Sequence, residues 1–201
     1  MAQTVLLRDN MIPYEGDTTM EKRLEGNPNG TALDFSTSLL KGLGWGAIGG
    51  IAGTLAMDLT LMAILAAFGS PVLTCFSIVG DTAAIFFSMQ NMGMTGTILL
   101  GVAIHYMVGP LIGAIFGLLV THFKGLRVST RIKSMLLGIV YVEILSQPLL
   151  ATTPILLKMS AAVTLQWYSG SFFMHMIAGA VLGEVVDRGL NLVGRGRRRE
   201  A

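Results

Sequence analysis

The segment His105-Tyr-Met-Val-Gly-Pro-Leu-Ile-Gly113 is the most informative part of the sequence, because it recurs as His175-Met-Ile-Ala-Gly-Ala-Val-Leu-Gly183. Both copies follow the pattern His-x3-Gly-x3-Gly, and both lie within long apolar runs. Residues four apart share one face of an α-helix. Each copy therefore predicts a helix that presents a histidine and two glycines on one side, and the repetition predicts a duplicated unit.

The composition places the chain among membrane proteins. Of 201 residues, 52% are hydrophobic and only 13% are charged, and the mean hydropathy is +0.65. Soluble domains usually contain about a quarter charged residues. The single cysteine, Cys75, cannot form an internal disulfide, and its apolar surroundings predict that it behaves as a small hydrophobic residue.

Four apolar segments are each long enough to cross about 30 Å of hydrocarbon. They predict an all-α fold, a polytopic membrane four-helix bundle made of two pseudo-symmetric helical hairpins. The segment 69–95 contains a short apolar helix, which is either interfacial or re-entrant. The predicted parts are a polar cytoplasmic tail (1–38), a transmembrane domain (39–193) with spans at about 39–68, 95–123, 134–157 and 171–193, a short helix at about 80–90, and a basic cytoplasmic tail (194–201).

The distribution of lysine and arginine predicts the orientation. Four lie in the N-terminal region through Lys41, four between Lys124 and Lys133, and five from Arg188 onward, whereas Lys158 is alone in the remaining loops. The positive-inside rule then places both termini and the middle loop in the cytoplasm. The expected location is a prokaryotic plasma membrane. The terminal arginines are interpreted as an anchor for anionic lipid, and no nucleic-acid partner is predicted.

Glycines spaced four apart allow membrane helices to approach closely. The spacing Gly44-x-Gly46-x-x-Gly49 matches a dinucleotide fingerprint, but no strand precedes it, so we interpret it as packing. The glycines predicted to pack helices are Gly49, Gly53, Gly109, Gly113, Gly117, Gly179 and Gly183.

Two acids lie within the predicted spans. Gly53-x4-Asp58 and Gly138-x4-Glu143 have the same spacing, so each repeat supplies an acid on its first helix and a histidine on its second. An acid at mid-helix costs about 2.5–3.5 kcal/mol on insertion scales, which favours pairing with histidine. The predicted intramembrane polar centre is Asp58, His105, Glu143 and His175.

Three interpretations of this centre stay open. Acid and histidine could fix the helix register, or they could bind or conduct a proton or small cation. His105 and His175 could instead ligate haem b, or a metal, in an anchor subunit of a respiratory complex. No nucleophile, base and orienting group are recognisable in the sequence, so an enzyme acting alone is not predicted. A homo-oligomer or a larger membrane complex is expected.

The chain resembles uncharacterised families of small four-span prokaryotic integral membrane proteins with a repeated His-x3-Gly-x3-Gly motif. The resemblance covers about residues 39–190 and excludes the N-terminal tail. It implies the four-span topology and no particular activity.

Overall fold

The computed structural model describes residues 28–89, 95–126 and 130–197, with the backbone alone for residues 28–35, 89, 124 and 192–197. The chain divides into two units, residues 1–36 and 37–201. The all-α prediction is confirmed, because the described residues form helices and no strand. The helices are α1 (Pro28–Ala67), α2 (Thr74–Met89), α3 (Ile98–His122), α4 (Arg131–Leu156) and α5 (Ala161–Arg197), with a short 3₁₀ helix at Lys124–Leu126.

Four of these helices, all except α2, are long and apolar enough to cross a membrane. The protein is therefore a four-span membrane protein by helix length and composition. Helix α5 begins ten residues before the predicted fourth span, since the Ser160 hydroxyl accepts a hydrogen bond from the Val163 N–H and caps the helix start. Residues 1–27 and 198–201 of the two predicted tails, and 90–94 of the loop, lie outside the described residues.

Helix α1 packs closely against two neighbours because two rows of glycine run along it. A Cβ atom on any of these glycines would collide with a neighbouring helix. The contacts run in opposite chain directions, so α1 is antiparallel to both partners. One row faces α3, with Gly42, Gly46 and Gly50 against Gly117, Gly113 and Gly109, and the other faces α5, with Gly49 and Gly53 against Leu182 and Ala178.

Helices α4 and α5 form a second close antiparallel contact. Gly138 meets the backbone of Gly179, and the buried Ser134 hydroxyl donates to the Gly183 carbonyl at 2.5 Å. Helix α4 also contacts α3, because the Tyr141 hydroxyl donates to the Ile112 carbonyl at 2.8 Å. Thus α1 and α4 each contact both α3 and α5. All the predicted packing glycines lie at close helix contacts.

The short helix α2 packs lengthwise against the first half of α3. Gly101 of α3 meets the Phe76 carbonyl, and Gly80 of α2 meets the Thr97 carbonyl, so the two helices are antiparallel. Phe76 is buried in this contact. Helix α2 therefore begins about one helical turn from the level of His105. It lies alongside α3 rather than across the end of the bundle.

An ion-pair cluster joins α4 and α5 near the end opposite α2. The Glu184 carboxylate accepts from Arg131 at 2.5 Å and pairs with Arg188 at 2.6 Å. Both arginines are well exposed, so water weakens the attraction. We expect Glu184→Gln to lower the free energy of unfolding by about 1 kcal/mol. Unfolding titrations at low and high salt test this, because salt should shrink the difference. A loss that is unchanged by salt would contradict the electrostatic explanation.

Candidate functional site

Asp58 and His105 form an ion pair between the spanning helices α1 and α3. Asp58 lies two turns beyond Gly50 on the row that faces α3, and His105 lies one turn before Gly109. The Asp58 Oδ1 and the His105 Nδ1 are 3.2 Å apart. The exposed fractions of the two side chains are 4% and 16%. Close glycine packing therefore brings the predicted acid and histidine of the first repeat together.

The contact assigns a role to each nitrogen of the His105 ring. When Asp58 is ionised, its carboxylate only accepts hydrogen bonds, so Nδ1 then donates its hydrogen to Asp58. The neutral ring then keeps a lone pair on Nε2, which can take up a proton and release it again. The second carboxylate oxygen of Asp58, Oδ2, is buried without a hydrogen-bond partner.

The first turn of α2 covers His105. The Phe76 ring meets the imidazole edge-on, with centroids 5.4 Å apart and an interplanar angle of 74°. Cys75 precedes Phe76 in the first turn of α2 and is partly buried. Phe76 was not predicted to be part of the site. The only signal in the sequence was the apolar start of a helix within residues 69–95. The periodicity of a helix does not show which neighbouring helix it packs against.

Glu143 forms no ion pair with a histidine among the described residues. Its carboxylate accepts from Gln147 on its own helix at 3.3 Å, and its Oε1 has no hydrogen-bond partner. The buried face of α4 runs at intervals of four residues and passes through Val142, next to Glu143. Adjacent residues on a helix point about 100° apart. Glu143 therefore points to the side of the face that meets α5.

The helix contacts give a repeat register different from the one inferred from glycine–acid spacing. In the His-x3-Gly-x3-Gly copies, Gly109 corresponds to Gly179. Gly109 contacts Gly50, and Gly179 contacts Gly138, so Gly138 corresponds to Gly50. The glycine–acid spacing within the sequence instead matched Gly138 with Gly53, which lies three residues after Gly50.

This register places a serine where the first repeat has its acid. Asp58 is eight residues after Gly50, and Ser146 is eight residues after Gly138. Ser146 is buried, and its hydroxyl donates to the Glu143 carbonyl of its own helix at 3.1 Å. The second repeat therefore retains the histidine but has no carboxylate at the position that contacts it in the first.

His175 lies toward the bundle interior. Its Nδ1 is buried without a hydrogen-bond partner, and its neighbour Met174 packs against Met57 of α1. Of these two histidines, only His105 forms an ion pair with an acid within the described residues.

The arrangement of donor side chains bears on whether the site could hold a metal ion or haem. No group of three histidine, cysteine, aspartate or glutamate side chains within the described segments could hold a metal ion. A porphyrin beside His105 and His175 would need the space next to Gly109 and Gly179. That space is filled by Thr54 and by the backbone of Gly138. In the described helices, the space beside these two glycines is therefore occupied by helix packing.

Comparison with protein-family models, curated proteins and solved structures gives no significant match to this chain. The geometry of the site therefore supplies the argument for function.

Proposed function

We propose that this chain is an integral membrane protein that binds and passes a proton at the Asp58–His105 pair. The observation that supports this proposal is a buried carboxylate held against an imidazole between membrane-spanning helices. Both groups change their charge by gaining or losing a proton. Such pairs within membrane helices characterise proton relays.

The magnitudes argue against a purely structural pair. An acid at mid-helix costs about 2.5–3.5 kcal/mol to insert, whereas hydrogen bonds between membrane helices contribute about 0.6 kcal/mol on average. The close glycine contacts already hold α1 against α3 without the pair. A proton-binding role accounts for retaining an acid at this position.

A proton fits the donors better than a metal cation does. Calcium takes six to eight oxygen ligands and magnesium needs octahedral geometry. Asp58 offers two oxygens, and the side-chain donor that contacts it is the Nδ1 ring nitrogen of His105. A single proton needs only the lone pair on Nε2 of His105 or an oxygen of Asp58.

The proposed orientation places both termini on the cytoplasmic side of a prokaryotic plasma membrane. Thirteen of the fourteen lysine and arginine residues then lie in cytoplasmic segments, which supports this orientation. His105 is about 10 Å from the start of α3, so the pair would lie in the outer half of the membrane. A reporter fused after Ala201 tests the topology, and a periplasmic signal would overturn it.

Proton flux into proteoliposomes tests the function. Purified protein is reconstituted with a pH-sensitive dye inside, and a potassium gradient with valinomycin drives protons inward. We expect wild-type flux above that of empty liposomes, and a loss of about 100-fold in Asp58→Asn because the amide cannot exchange a proton. Glu143→Gln is the matched control, since Glu143 lies outside the pair, and its flux should equal wild type. Equal flux in all three proteins would leave only a packing role.

The haem alternative has an independent test in the visible spectrum of the purified protein. Bis-histidine haem gives a Soret band that disappears in His105→Ala and His175→Ala. The filled space beside Gly109 and Gly179 leads us to expect no such band. A homo-oligomer or a larger complex stays part of the proposal, since a four-helix chain offers little room for a pathway of its own.

A further inference from the structure

We propose that a second copy of this chain packs against the outward face of α4, with the Gln147 amides of the two copies bonded to each other inside the membrane. The two copies have the same orientation and are related by a twofold axis along the membrane normal. The inference rests on the proposed function only where that function names a homo-oligomer. It does not depend on the proton role of Asp58 and His105.

The Gln147 amide is a polar group on the outward side of a spanning helix. Its side chain is exposed, and it lies 16 residues after Arg131 and nine before Leu156, the two ends of α4. At 1.5 Å per residue, the amide is about 24 Å from one end of the helix and about 14 Å from the other. It is therefore at the depth of the hydrocarbon, where lipid chains offer no hydrogen bonds and an unsatisfied amide is costly.

The chain itself uses only part of the hydrogen-bonding capacity of this amide. Gln147 Nε2 donates one hydrogen to Glu143 Oε2 at 3.3 Å, and Glu143 lies one turn earlier on the same helix. A glutamine amide has two N–H donors and a carbonyl acceptor. The second N–H and the carbonyl oxygen form no hydrogen bond with the described residues. Glu143 thus orients the amide, and a donor and an acceptor still need a partner.

A second copy supplies that partner by symmetry. An amide is complementary to another amide, because each can donate its N–H to the carbonyl of the other. Glutamine is one of the side chains that hydrogen-bond between membrane helices. A different chain would need its own polar group at the same depth, whereas a copy related by a twofold axis presents Gln147 at that depth.

The residues around Gln147 have the spacing of a helix–helix seam. They are four, three and four residues apart: Leu136, Val140, Glu143 and Gln147. This spacing is typical of two helices that cross at about 20°. A groove of about 450 Å³ runs along the first part of the seam, and its other lining residues are Thr130, Ile132, Lys133 and Leu137. An apolar face alone would suit lipid equally well, so the amide is the observation that indicates a partner helix.

The test measures association of the full-length protein in phosphatidylcholine liposomes. Donor and acceptor fluorophores are attached to the N-terminal amine of separate samples, and energy transfer is followed as the protein-to-lipid ratio falls. We expect the wild-type protein to follow a monomer–dimer equilibrium. Gln147→Leu should weaken dimerisation by about 10-fold, because it removes the hydrogen bonds between the two amides.

Three further variants separate hydrogen bonding from shape. Gln147→Asn keeps an amide at the same position, so its dimerisation should stay within about threefold of wild type. Gln166→Leu is the matched control, since it makes the same chemical change at an exposed glutamine near the start of α5. Its association should equal that of wild type. Glu143→Gln should also dimerise normally, because the new amide still offers an acceptor to Gln147.

Disulfide cross-linking in the same liposomes identifies the interacting face independently. The background is Cys75→Ser, so the introduced cysteine is the only one in the chain. Val140 lies in the seam and Leu111 lies on α3, and the two side chains are similarly exposed, at 55% and 61%. With copper phenanthroline as oxidant, Val140→Cys should cross-link at least about 10-fold faster than Leu111→Cys, because a disulfide needs two closely facing Cβ atoms.

Several outcomes would overturn the proposal. A wild-type protein that stays monomeric at every protein-to-lipid ratio would leave this face to lipid or to a different chain. Equal association of wild type and Gln147→Leu, or faster cross-linking of Leu111→Cys than of Val140→Cys, would also contradict it. A loss in Gln147→Leu that Gln147→Asn does not relieve would refute the amide pair. Dimers without proton flux would refute only the proposed function, and flux from monomers only this inference.

Discussion

Gly46→Leu is expected to lower the free energy of unfolding by about 3 kcal/mol, because overpacking a close contact forces the backbone apart. A Cβ atom on Gly46 would collide with the carbonyl of Gly113, which belongs to the facing helix backbone and cannot rotate away. The leucine would push α1 from α3 and loosen the contacts on either side. An unfolding titration in sodium dodecyl sulfate, followed by circular dichroism, measures the loss.

Gly44→Leu is the matched control for this prediction. Gly44 lies one half-turn away on the same helix, where an added Cβ meets nothing within 4 Å. Leucine there should stabilise the helix by about 0.8–1 kcal/mol, since glycine is a poor helix former. The two substitutions make the same chemical change with opposite expected signs. If both variants unfold at the same detergent fraction, the close contact between α1 and α3 is wrong.

Ser146→Asp is expected to create a second acid–histidine pair. An unpaired acid at mid-helix costs about 3 kcal/mol, and pairing with His175 should return about 1–2 kcal/mol of this. When His175→Leu is added to Ser146→Asp, the loss of unfolding free energy should therefore clearly exceed the sum of the losses for the two single changes. A double-mutant cycle of unfolding free energies measures this coupling.

The same cycle with Glu143→Gln and His175→Leu is the control. Glu143 bonds to Gln147 and does not hydrogen-bond to His175, so its coupling should be close to zero. The repeat register based on glycine–acid spacing makes the opposite prediction, with coupling at Glu143 and none at Ser146. The two cycles together therefore decide which register is correct.

Part of the site could be predicted from residues alone. Asp58 and His105 stand out because each is an ionisable residue in an apolar run beside glycines spaced four apart. Glycine rows also identify the faces where helices meet, and the predicted packing glycines do lie at those contacts. These inferences succeed because helix period and burial cost are local properties of the sequence.

Two features of the site needed the tertiary contacts. Glycine–acid spacing predicted that Glu143 pairs with a histidine, but the face of α4 that meets α5 includes Val142 and Ser146. A spacing of five residues and a spacing of eight both place an acid near a glycine face, so the spacing alone could not choose between the two registers. Phe76 was not predicted to be part of the site, because nothing in its own segment indicates that α2 packs beside His105.

Composition and helix period are enough to predict an all-α, four-span membrane protein with an acid and a histidine facing glycine-lined contacts. They are enough because the bilayer fixes the length of a spanning helix and requires backbone hydrogen bonds within it. The pairing of Asp58 with His105, and the packing of α2 against His105, follow only from the contacts between helices. Those contacts depend on the rotation and register of separate helices, which are set by close approach between backbones distant in sequence.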